Sequence, residues 1–92
     1  MKKIIEEIEN DYQLLKSLSV REDGGTIILQ GARYYGDKAC PTGAQIAYLI
    51  GLDNVDYQSN NNIRKTNKWV IKACIDIAKK YPNNKFYVRT IK

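Results

Sequence analysis

Ninety-two residues give room for one domain, residues 1–92, with one modest hydrophobic core. A content of 43% hydrophobic and 27% charged residues excludes a disordered or fibrous chain, and no segment approaches the ~20 apolar residues of a membrane span. The net charge of +5 is lopsided: residues 57–92 hold nine bases against one acid, Asp76, for a net +8, whereas residues 1–56 sum to −3. One face of so small a domain then suits a polyanion, which makes nucleic acid the leading expected partner.

In chain order, Ile4, Ile5, Ile8, Tyr12, Leu15 and Leu18 recur at three- and four-residue steps and predict an amphipathic helix over about 3–18. Arg21-Glu22-Asp23-Gly24-Gly25 reads as a turn. Thr26-Ile27-Ile28-Leu29-Gln30 is β-branched and bounded by glycine, so a strand is expected there, reaching Arg33 or Tyr35, with Gly31 marking a bulge or bend. Thr42 followed by Gln45 is a capping box ahead of Ile46, Leu49 and Ile50, which predicts a short helix over 43–50. Gly51 is expected to end it in a left-handed conformation.

After a connection over 53–59, a long helix is expected from Ser59 or Asn60 to Tyr81-Pro82, with Ile63, Val70, Cys74, Ile77 and Ala78 on its buried side. Arg64, Lys68, Lys72 and Asp76 then fall on one stripe of that helix. Lys85 to Ile91 alternates as a final strand. The order is helix, strand, helix, helix, strand, with the two strands expected to pair antiparallel.

The start of the long helix carries Asn61, Asn62, Arg64, Lys65 and Lys68. Arginine pairs bidentately with guanine and asparagine with adenine, so this mixture matches base edges in a major groove. Lys72, Lys85 and Arg89 are expected to clamp phosphates. Arg33 and Tyr34, with Tyr35 and Lys38, add bases and rings at the first strand. Tyr34, Tyr35, Tyr87 and Arg89 also suit a platform for single-stranded nucleic acid or RNA, which gives a second reading. A module inhibiting a nucleic-acid machine through protein contact is a third.

Catalysis has little support: there is no histidine, no glycine-rich phosphate loop and no metal-ligand cluster, so no enzyme, metal or cofactor is expected. Cys40 and Cys74 are expected to stay reduced, Cys74 buried and Cys40 in a loop. The opening Met-Lys-Lys-Ile-Ile-Glu-Glu meets acids straight after two bases, unlike a secretory leader, and a cytoplasmic protein is expected.

Thr42 to Leu52, with small Ala47 and turn Gly51, resembles the first motif helix of the winged helix-turn-helix family, and Asn62-Ile63-Arg64-Lys65 resembles the start of its recognition helix. The resemblance covers about residues 26–91. It implies an α+β fold of three helices with a small two-stranded antiparallel sheet, and binding to double-stranded DNA. In size, order and charge the chain is also similar to small winged-helix accessory proteins of conjugative plasmids. That likeness implies a non-enzymatic factor at a transfer origin, beside a relaxase or another DNA-processing protein. A phage or plasmid transcription regulator has the same features. Specific binding by so small a module implies a homodimer or several copies on repeated sites.

Overall fold

The computed structural model of the chain describes residues 2–13, 15, 17–33 and 40–91. It is an α+β fold with a mixed four-stranded sheet, and this overturns the winged helix with its two-stranded antiparallel sheet. The elements are α1 (Lys2–Asp11), β1 (Leu18–Asp23), β2 (Thr26–Ala32), α2 (Gly43–Ile50), β3 (Val55–Tyr57), α3 (Asn60–Ile63), α4 (Lys68–Lys80) and β4 (Lys85–Ile91). The sheet order is β1-β2-β4-β3. β1 runs antiparallel to β2, whereas β4 lies between β2 and β3 and is parallel to both.

Several local expectations change with this topology. The first helix stops at Asp11, and Leu18 to Asp23 form a strand in place of the end of a helix and a turn. Only Gly24 and Gly25 make the turn, both at positive φ (58° and 90°), the conformation that a two-residue hairpin demands and that glycine supplies without strain. Glu22 steadies it by accepting a hydrogen bond from the Gly25 N–H at 3.0 Å.

Gly31 is no bulge. It pairs in register with Leu18 and Thr90, and a Cβ there would lie 2.4 Å from Val70 Cγ1 and 2.8 Å from Thr66 Cγ2. The missing side chain lets α4 and the turn before it sit against β2. Gly51 ends α2 in the right-handed region (φ −83°, ψ −4°), not the left-handed one. The capping box is present: Thr42 Oγ1 accepts from the Gln45 N–H at 3.2 Å, and Gln45 Oε1 accepts from the Thr42 N–H at 2.9 Å.

The expected long helix is two. α3 is one turn, Arg64 and Lys65 follow it, and Asn67 starts α4 by accepting the Trp69 N–H at 2.9 Å. The break has a tertiary cause: Thr66 leaves the helical path to form a β-bridge with Arg33 and is fully buried.

All four helices contribute to a single core on one face of the sheet. Ile27 and Leu29 of β2 and Phe86 and Val88 of β4 meet Ile8 of α1, Ile46 and Leu49 of α2, Ile63 of α3, and Val70, Ile71, Cys74, Ile77 and Ala78 of α4. Each Ile, Leu, Val or Phe among them contributes about 1.5–3 kcal/mol by leaving water. Cys74 and Cys40 are free thiols, and burial pushes the Cys74 thiol up to about 12. Strand alternation sends Arg21, Ile28, Gln30, Lys85, Tyr87 and Arg89 to the opposite face. No helix among the described residues is long and apolar enough to cross a membrane.

Candidate nucleic-acid interface

β2, β4 and β3 point the same way, so their carboxyl ends gather at one end of the sheet. α3 and the start of α4 close that end. Three hydrogen bonds pin α3, the turn before α4 and the residues leading into α3 to β4. The Thr90 hydroxyl donates to the Asn62 carbonyl at 2.8 Å and its oxygen lies 2.6 Å from that of Thr66. Because Thr90 has one hydroxyl proton and spends it on Asn62, Thr66 must be the donor in the shorter bond. Gln58 Oε1 accepts the Thr90 N–H at 3.0 Å. The α3–α4 corner is thereby fixed to the central strand.

Arg64 caps α3 and Lys65 follows in the turn, both exposed; Lys68 opens α4 and Lys72 lies one turn on. No acid occurs from Tyr57 to Ile75. Among the described residues Arg64, Lys65, Lys68 and Lys72 have no ion-pair partner. Lys68 sits at the amino end of a helix, where a cation opposes the helix dipole. Its ammonium lies 5.0 Å from the centroid of the Trp69 ring instead.

The other expected contact residues divide. Asn61 is exposed on α3. Asn62 is tied down: its amide donates to Ser59 Oγ at 3.0 Å and its carbonyl accepts from Thr90. Arg33, exposed, joins the corner through its bridge to Thr66. Arg89 lies on the face of the sheet opposite the core, where its Nη2 donates to Gln30 Oε1 at 3.1 Å and its buried Nε has no partner among the described residues.

Lys85 begins β4 at the opposite end, about 20 Å from Ile91 at 3.3 Å per residue. There it lines a groove of about 470 Å³ together with Asp23, Asp53 and Asp56. Tyr34 and Tyr35 lie outside the described residues. Tyr87 is half-buried on the face opposite the core, in register with Ile28 and Asp56. The structure thus brings Arg33, Asn61, Arg64, Lys65, Lys68 and Lys72 to one end of the molecule and separates Lys85 from them.

Sequence reasoning sets Trp69, the chain's single tryptophan, near the edge of the helix's buried side and gives it no role in the site; it is 55% exposed beside these bases. Helical spacing sets Trp69 only at the edge of the side that holds Val70, Cys74 and Ile77, so its exposure required the fold. Among the described residues no group of three acids, cysteines or histidines could hold a metal ion. Compared with known proteins, the chain matches no family model, no curated protein and no solved structure.

Proposed function

We propose that this chain is a non-enzymatic DNA-binding protein whose α3–α4 corner holds the backbone phosphates of a duplex. The observation that carries the reading is the gathering of Arg64, Lys65, Lys68 and Lys72 on a stretch of chain, residues 57–75, that holds no acid, braced by Thr66 and Thr90. Phosphate contacts of this kind supply affinity and orientation. Of the two asparagines expected to reach base edges, Asn62 is bonded to Ser59 and Thr90, whereas Asn61 is exposed. The expectation of a plasmid-transfer role came with the winged-helix resemblance, and nothing in the four-stranded fold adds support to it.

Fluorescence anisotropy of a labelled duplex tests the reading. Four phosphate contacts give a slope of log affinity against log salt of about −3 to −4, or roughly a hundredfold loss between ~50 and ~200 mM. Lys72→Ala should weaken binding to all sequences and flatten that slope by about one. Joint replacement Arg64→Ala and Lys65→Ala should flatten it by about two. Unchanged affinity in both variants would remove the corner as the contact surface.

A further inference from the structure

Trp69 is one wall of a shallow groove of about 310 Å³ between α4 and the segment that follows α1. Tyr12, Leu15 and Ala73 supply the rest of its apolar lining, and Lys72, Asp76 and Asp11 its polar lining. The groove is not evenly charged. At the Trp69 end stand Lys68, over the ring, and Lys72. Asp11, held by Lys80 at 2.7 Å, and Asp76 belong to the far part. Burial first, and then Asp76 and Asp11, hold the Tyr12 hydroxyl above its ordinary value.

A phosphate is drawn to one end of such a groove and repelled by the other. A neutral, flat ring meets an aromatic wall, apolar sides and carboxylates able to accept from its amino groups. These preferences match the two halves of one nucleotide. Stacking needs the base out of its duplex, because only an unpaired base offers its face.

We propose that the Trp69 groove takes an unpaired base of single-stranded DNA, stacked on the indole, while Lys68 and Lys72 hold the phosphates on either side. The proposal rests on reading the corner as phosphate-binding and adds to it the strand form. A duplex is then held by its backbone alone, and a melted or single-stranded segment is held by backbone and base together.

Because Trp69 is the single tryptophan, its emission reports the contact directly. The intact protein would be titrated with a single-stranded DNA oligonucleotide and with the matching duplex. Tryptophan emission would be followed in one series, and anisotropy of labelled strands in a second, for the native chain, Trp69→Ala and Trp69→Phe. Trp69 is exposed, so both variants should keep the native circular dichroism.

The expected result is strong quenching by the single strand and little by the duplex. Trp69→Ala should lose about 5- to 150-fold in single-strand affinity, the range of one stacked base, with Trp69→Phe recovering part of it. Single-strand binding without quenching, and equal in Trp69→Ala, overturns the stacked base while leaving the phosphate reading intact. Quenching confined to the duplex overturns the unpaired-base assignment. No binding of either DNA overturns both.

Discussion

Gly31 is the residue on which the corner depends most directly. Its backbone is in ordinary strand register, so conformational freedom is not the reason for glycine here. Space is the reason, with Val70 and Thr66 filling the volume a Cβ would take. Both contacts are branched side chains that are themselves fully buried and have no room to swing away. Gly31→Ala should therefore destabilise the fold by about 1–3 kcal/mol, the usual cost of overpacking. Urea unfolding would show this as a lower midpoint with an unchanged slope. Because Thr66 is one of the two displaced contacts, amide exchange at Thr66 and Thr90 should accelerate by more than exchange in the β1–β2 hairpin. A midpoint within error of the parent would mean the strand and α4 part easily, and that the corner is less rigid than its hydrogen bonds suggest.

At the scale of elements, Asn54 does for the far end of α4 what Thr90 does for its start. Its amide nitrogen lies 3.0, 3.2 and 3.0 Å from the carbonyl oxygens of Ala78, Tyr81 and Asn84 and shares its two protons among them, tying the end of α4 and the turn into β4 to the residue before β3. The Asn54 carbonyl in turn accepts the Phe86 N–H at 2.9 Å. Asn54→Ala strands partly buried carbonyls and should cost about 1–3 kcal/mol in chemical unfolding. A loss below about 0.5 kcal/mol would mean that water replaces the amide. No propensity or periodicity points to Asn54, because its three acceptors lie 24 to 30 residues away. The same limit separates what was legible from what was not. The capping box ahead of α2 is a contact within four residues, and the Lys85–Ile91 strand alternates along itself; both could be read. β3 has three residues, too few for alternation to show, and β1 continues the apolar spacing of α1 through Leu15 and Leu18 until charged residues hide it. The buried stripe Ile63, Val70, Cys74, Ile77 keeps helical spacing across a break that only the pairing of Thr66 with Arg33 creates. The parallel placement of β4 between β2 and β3 is likewise fixed by packing across the chain. At the site, the cluster from Asn61 to Lys72 was visible as charge, whereas the separation of Lys85 and the exposure of Trp69 required the fold.

Over the whole molecule, charge is sorted by position along the strands and not only along the chain. The carboxyl ends of the parallel strands meet Arg33, Arg64, Lys65 and Lys68, whereas at or near the amino ends Glu22, Asp23, Asp53 and Asp56 are mixed with Lys79, Lys80 and Lys85. A body with this polarity should approach DNA in one orientation, since turning it end for end brings acids to the phosphates. Net charge alone predicts something different: every lost base should weaken binding alike. Two charge reversals separate these cases, because Lys65→Glu and Lys85→Glu change the net charge by the same amount at opposite ends of the molecule. Both side chains are exposed, so neither substitution should lower the unfolding midpoint appreciably. At ~50 mM salt, Lys65→Glu should reduce duplex affinity roughly tenfold or more, by removing a phosphate contact and placing a repulsive charge in its stead. Lys85→Glu should change it by less than about threefold, the residue of long-range attraction left after screening at that distance. Equal losses in the two variants would show that the protein binds through its overall charge and that the corner has no privileged role. A larger loss at Lys85 would move the interface to the face of the sheet opposite the core, where Arg89, Tyr87 and Arg21 would then become the residues to test.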